Sequence, residues 1–210
     1  MEFEDKIYKK CDLECDDSIS SYEHWGAQQN YNVFETFHNF LKEVKPSQIL
    51  EIGTSLGGFT CFLNYTCQKC KIDCKILTYD INETQGYNFM IENGIDARVE
   101  NVFNDDYSIV KQEVIDFIQK NGTTLVLCDG GNKISEFNLL SNYLKDGDII
   151  MAHDYAKDEE TFNSEVYKKL WNWFEISDKD IQSACKQNNL MSYKDDIFNK
   201  VVWVGKIKKG

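Results

Sequence analysis

Residues 48–61 read Gln48-Ile49-Leu50-Glu51-Ile52-Gly53-Thr54-Ser55-Leu56-Gly57-Gly58-Phe59-Thr60-Cys61, an apolar strand that carries one acid, then a glycine-rich turn, then an apolar helix start. Glycines at such a turn leave backbone amides open at a helix N-terminus, which suits the polar part of a nucleoside cofactor. A dinucleotide fold spaces these glycines G-x-G-x-x-G so that a pyrophosphate reaches the helix end. Here the spacing is G-x-x-x-G-G, with Glu51 two residues ahead of the first glycine. A carboxylate there repels pyrophosphate and favours a cofactor bearing an amine or sulfonium charge. Read alone, the stretch also fits a plain strand-turn-helix of any α/β protein, so the rest of the chain has to decide.

The whole chain narrows the choice. Its 210 residues are enough for one α/β domain. Asp and Glu total 35 against 23 Lys and Arg, a net charge of −12. So acidic a protein lacks the footprint for phosphate backbones or anionic membranes, which argues for a small-molecule substrate and against nucleic acid and membrane partners. The charged start MEFEDKIYKK and the lack of a long apolar run predict a cytoplasmic protein. Of its 8 cysteines, Cys61, Cys67, Cys70 and Cys74 cluster. Their spacing leaves zinc open, but a tetrahedral site wants a second paired motif, and reduced thiols are the simpler reading.

Residues 1–45 read as an N-terminal arm, a short helix or loosely held over the first twenty residues, followed by a lid helix. In that helix Val33, Phe34, Phe37, Phe40, Leu41 and Val44 recur at helical spacing until Pro46 stops it. Trp25 and Gln28 are candidates to face a pocket, although residues of this kind more often pack or cap; His24 and His38 read as structural. Residues 46–210 then carry the main domain. A helix from Gly58 to about Cys67 leads to a second strand, Lys75–Tyr79, ending in Asp80, where one carboxylate can accept from both hydroxyls of a ribose. A helix over Asn82–Asn93 and a third strand over Ala97–Val102 follow, then a helix with Val110, Val114, Phe117 and Ile118 on one face.

The strand Thr123–Cys128 is apolar enough to be buried on both faces, and it ends in Asp129-Gly130-Gly131-Asn132-Lys133. A helix carrying Ile134 to Leu144 precedes a fifth strand, Asp148–Ala152, which ends in His153-Asp154-Tyr155. Parallel strands that both end in acids set them side by side at the ligand edge of an open sheet. Two uncompensated acids there would repel, and a hard divalent cation relieves that repulsion. Beyond this, a helix with Val166, Leu170, Trp171 and Phe174, a polar helix near Lys179–Asn188, and an antiparallel hairpin of Leu190–Tyr193 and Lys200–Ile207 across Asp195-Asp196 complete the chain.

With these motifs in order, Glu51-x-Gly53-x-x-x-Gly57-Gly58 resembles motif I of the class I S-adenosylmethionine (SAM)-dependent methyltransferases. The pair Asp129-Gly130-Gly131-Asn132 and His153-Asp154 is similar to the metal-assisted small-molecule O-methyltransferases of that class, and is related to the catechol and macrolide-sugar enzymes. The resemblance spans roughly Gln48 to Tyr155. It implies a Rossmann-like α/β fold: a central, mostly parallel seven-stranded sheet, a C-terminal antiparallel hairpin, and helices on both faces. It also implies methyl transfer from SAM to a hydroxyl of a small molecule with Mg²⁺ or another divalent ion. Glu51, Gly53, Thr54, Gly57, Gly58, Asp80, Asn101, Phe103 and Asp129 would place the cofactor, Asn101 and Phe103 lying at the third strand's tip beside the adenine. Asp129, His153 and Asp154 match the metal positions, and His153 or Lys133 would remove the proton. Three departures bear on this. Asn132 stands where the nearest pattern has His, Tyr155 where the catechol type has Asn, and Lys133 four residues past Asp129 where theirs lies three past. An NAD(P)-dependent oxidoreductase and a non-catalytic cofactor-binding protein are the rival readings. A homo-oligomer is compatible with the sequence.

Overall fold

The computed structural model describes residues 7–9, 20–22, 25–84 and 86–210. Most of the arm expected over residues 1–20, together with His24, lies outside the described residues. The described parts of the N-terminal region form β1 (Ile7–Lys9), β2 (Ser20–Tyr22) and β3 (Trp25–Gly26), a small antiparallel sheet. Helix α1 (Val33–Val44) buries Val33, Phe34, Phe37, Phe40 and Leu41, the stripe its periodicity predicts. It ends where Lys45 turns left-handed ahead of Pro46, because the residue before a proline is pushed out of the helical region.

The main domain then runs through β4 (Gln48–Ile52), α2 (Gly58–Lys69), β5 (Lys75–Asp80), α3 (Tyr87–Glu92), β6 (Asp96–Val99), α4 (Gln112–Ile118), β7 (Thr124–Cys128) and α5 (Lys133–Leu140). It continues with β8 (Ile149–Ala152), α6 (Glu159–Thr161), α7 (Asp178–Gln187), β9 (Leu190–Ser192), α8 (Asp195–Phe198) and β10 (Val204–Lys208). Seven strands form one sheet in the order β6-β5-β4-β7-β8-β10-β9. The first five run parallel, and β10 pairs antiparallel with both β8 and β9. This is the sheet the sequence resemblance implies.

Strands β4, β7 and β8 are buried on both faces, which explains their unbroken apolar runs. Alternate residues serve two cores. Ile49, Leu125, Leu127, Ile149 and Met151 face the layer of α1 and α2, where Phe37 packs edge-on to Phe40, Phe59, Phe198 and Trp203. Leu50, Val126, Ile150 and Ala152 face α4, α5 and α7.

Three expectations need correction. No helix spans Val166 to Phe174. After α6 the chain makes one π-helical turn over Phe162–Val166 and then bends at Lys168, whose φ is +57°. The Val166 carbonyl accepts from the N–H groups of Lys169, Leu170 and Trp171, and the Asp154 carbonyl accepts from Glu175, so contacts with the site override the helical periodicity. The terminal strands pair antiparallel as expected, but the last one starts at Val204 rather than Lys200, with α8 and a turn in the connection. The third helix starts only at Tyr87, because Asp80 holds the Asn82 N–H in a turn.

At the opposite end of the sheet, Asp148 is fully buried and accepts from the Thr124 and Lys145 backbone N–H groups and from Lys145 Nζ at 2.7 Å. Asp148→Ala strands those donors, and urea unfolding should show a loss of about 2–4 kcal/mol, with the cleft at the other end unchanged.

Candidate active site

The ladder continues one residue past each central strand. Ile52 is in register with Tyr79 and Cys128, and Cys128 with Ala152. The next residues keep bonding: Gly53 N donates to Tyr79 O at 2.8 Å, Asp129 N to Ile52 O at 2.8 Å, and His153 N to Cys128 O at 3.2 Å. Gly53, Asp129 and His153 therefore stand in a row along one edge of the sheet. Gly53, at φ +93°, is required there: a Cβ would lie 2.2 Å from the Asp129 carbonyl oxygen. One residue past His153, Asp154 adopts a left-handed φ of +57°, a strained conformation for a residue other than glycine.

The side chains converge. His153 Nδ1 lies 3.1 Å from Asp129 Oδ1 and 3.5 Å from Asp154 Oδ1. Lys133, at the start of α5, places Nζ 2.9 Å from Asp154 Oδ2 and 3.7 Å from Asp129 Oδ1. The same ammonium donates to Gly130 O at 3.0 Å and Glu175 at 2.9 Å. The acids are thus not uncompensated, as the sequence reading had supposed, because Lys133 and His153 sit against them. Burial opposes the charge of Lys133, but Asp129, Asp154 and Glu175 outweigh it and hold its pKa above the ordinary value. Burial likewise disfavours charged His153, yet the two aspartates raise its pKa. Asp154 is buried too, which would raise its carboxyl; His153, Lys133 and the Trp171 indole N–H reverse that and lower it.

Asp129, His153 and Asp154 each offer a ligand atom within 4.8 Å of the others, and among the described residues they are the one group of three acids, histidines or cysteines so disposed. Two carboxylates and an imidazole are a donor set that fits a divalent cation. Cys61, Cys67, Cys70 and Cys74 are not gathered in this way; Cys61 and Cys67 are buried on α2.

The cluster forms one wall of a 290 Å³ cleft whose other lining includes Gln28, Glu51, Gly53, Thr54, Ser55 and Phe59. Trp171, Trp173 and Glu175 complete the lining, with Trp171 donating its indole N–H to Asp154 and Glu175 accepting from Lys133. Glu51 is 2% exposed and accepts from the hydroxyls of Thr60 and Thr78, both at 2.6 Å. Burial pushes its pKa up to about 7 despite those bonds. Behind the cleft, Glu136 accepts from the Gly130 and Asn132 N–H groups and so shapes the turn that carries Asp129.

Other expected cofactor residues lie around the cleft without lining it. Asp80 accepts from the Ser55 N–H at 2.8 Å, fixing the glycine turn. Gly58 admits the backbone of Trp25 and Gly26, since a Cβ there would meet the Trp25 carbonyl at 2.3 Å. Gly57 faces Met90 and Thr84. Asn101 caps the Phe103 N–H, and Phe103 stacks on Tyr107 beside the tip of β6. Tyr155 turns away to bond Asp178. Of the two leader residues expected to face a pocket, Gln28 lines the cleft, whereas Trp25 packs toward Phe89. The sequence reading missed Glu136, Trp173 and Glu175, which no local pattern marks, and it passed over Gln29.

The sequence model of the family described as rhamnosyl O-methyltransferase/CmcI matches residues 27–199. No curated protein sequence matches the chain. Among solved structures, an apo structure of CmcI superposes with a TM-score of 0.66 at 12% identity, covering 92% of this chain and 77% of that one. A CmcI structure with Mg and SAM gives 0.61 at 14%, covering 92% and 78%. A protein described as a caffeoyl-CoA O-methyltransferase, from Staphylococcus aureus, gives 0.53 at 14%, covering 85% and 83%. At these identities the superpositions establish a shared fold.

The raised pKa of Glu51 has a stability consequence. An acid whose folded pKa lies above its unfolded value favours the folded state most at low pH, and that advantage is lost as pH rises toward about 7. Between pH 6 and 8, Glu51→Gln should therefore show a flatter loss of unfolding free energy than the native chain, by about 1 kcal/mol in urea titrations.

Proposed function

The chain belongs to the rhamnosyl O-methyltransferase/CmcI family, and on that premise we propose that its SAM-dependent methyl transfer to a small-molecule hydroxyl takes place in the cleft between Glu51 and Trp173. The observation that carries this reading is the convergence of Asp129, His153 and Asp154 in one cleft with Glu51, at the end of β4, and the glycine turn that follows it. Methyl transfer is an in-line displacement at a sulfonium carbon, so the protein must align donor and acceptor and prepare the acceptor oxygen.

Gly53, Thr54 and Ser55 would take the donor at the glycine turn. Glu51 places a carboxylate beneath it that is ionised above about pH 7 and complements a positive donor. Asp80, at the tip of β5, is the ribose ligand in this arrangement, and Asn101 and Phe103 flank the base. Asp129, His153 and Asp154 would hold a divalent cation. Such an ion supplies positive charge that lowers the pKa of a bound hydroxyl and of an ammonium beside it. Lys133 is then the proton acceptor, since its Nζ stands at the edge of the ligand cluster while Gly130 O and Glu175 fix its position. Trp171 and Trp173, with ring centroids 5.0 Å apart, offer an apolar wall to an acceptor with a ring or other flat part.

Two results test the reading. SAM and its demethylated product should raise the melting temperature while NAD leaves it unchanged, because a ligand stabilises only the state it binds. On a panel of hydroxyl acceptors, Asp129→Ala and Asp154→Ala should each lower turnover at least a hundredfold while still binding the demethylated product. Unchanged turnover in both would remove the metal-assisted mechanism.

A further inference from the structure

Asp129 has two oxygens, and only one faces the cluster. Oδ1 meets His153 Nδ1 at 3.1 Å and Lys133 Nζ at 3.7 Å. Oδ2 is held instead by Gln29, whose Nε2 donates to it at 2.7 Å. Gln29 is 0% exposed and comes from the segment between β3 and α1, a hundred positions earlier in the chain. Its other end is equally engaged, because the Trp203 indole N–H donates to Gln29 Oε1 at 2.9 Å.

Chemistry fixes which way this amide points. An indole nitrogen only donates and a carboxylate only accepts, so the amide oxygen must face Trp203 and the amide nitrogen must face Asp129. Trp203 is itself closely packed: it is fully buried, lies against Phe37, and has its ring centroid 4.9 Å from that of His153. Gln29 thus joins the leader, the tip of β7 and the start of β10 in one buried line.

We propose that Gln29 is a positioning residue: by occupying Oδ2 it sets the rotation of Asp129 so that Oδ1 alone is presented to the cation site. The inference rests on the reading of Asp129 as a metal ligand given above. Partners that orient a ligating carboxylate alter metal affinity by about 10–100-fold when removed. A purely structural role would instead lower stability and leave metal affinity alone.

The test is Mn²⁺ binding to the protein saturated with S-adenosylhomocysteine (SAH), read by electron paramagnetic resonance. The SAH dissociation constant and urea unfolding are measured beside it. Gln29→Met keeps the side-chain length but removes both bonds, and it should raise the Mn²⁺ dissociation constant at least tenfold with SAH binding within twofold of native. Gln29→Asn keeps an amide that is one methylene too short to reach both partners; it should show the same pattern and covers the case in which the apolar variant does not fold. Asp148→Ala, destabilised at the far end of the sheet, should keep native Mn²⁺ affinity. Native Mn²⁺ affinity in a folded Gln29 variant overturns the proposal, as does an equal loss in Asp148→Ala. A native protein that takes up no Mn²⁺ at all removes the metal reading itself and the role of Gln29 with it, an outcome distinct from a defect confined to the variants.

Discussion

Three parallel strands, β4, β7 and β8, share a register that persists for one residue beyond their ends, and the chemistry of the cleft depends on that extension. Because Asp129 N bonds Ile52 O and His153 N bonds Cys128 O, the first residues after the strands are fixed by backbone hydrogen bonds before any side chain is considered. Gly53 allows the turns to lie this close; any side chain there would drive into the Asp129 carbonyl. The site is therefore built on the most buried part of the molecule, and its geometry inherits the rigidity of the sheet.

Onto that row the fold brings opposite charges into contact. Asp129 and Asp154 are partnered by Lys133 and His153, and Lys133 also engages Glu175. Burial disfavours the charges of Lys133, His153 and Asp154, but their partners outweigh it, raising the pKa of Lys133 and of His153 and lowering that of Asp154. Glu51, which also lines the cleft, is pushed up to about 7 by burial, because its two hydroxyl partners only partly offset that cost. The cleft lining thus holds two kinds of acid: aspartates in contact with Lys133 and His153, and a buried carboxylate that no cation among the described residues touches.

Much of this was legible in the sequence because it follows local rules. Apolar runs closed by glycine or an acid marked the strands, Pro46 marked the end of α1, and acids at strand tips marked the wall of the cleft. What escaped detection depended on distant partners. Lys133 was visible as a residue, but its clasp on Glu175 was not, since residues 166–174 carry an apolar spacing that fits a helix. That segment instead follows the bond of Trp171 to Asp154 and the backbone bonds of Glu175. Nothing near Gln29 in the chain points to Asp129 or Trp203. Glu136 likewise reads as an ordinary first-turn acid until its carboxylate is seen to hold the Gly130 and Asn132 N–H groups.

Crystals of the native protein grown with SAH and Mn²⁺ would settle the central assignment, with data collected at the manganese edge. An anomalous peak in contact with Asp129 Oδ1 and Asp154, and the sulfur of the nucleoside lying over Glu51 and Gly53, is the predicted result. A peak elsewhere on the molecule, or the nucleoside seated away from the glycine turn, would contradict it.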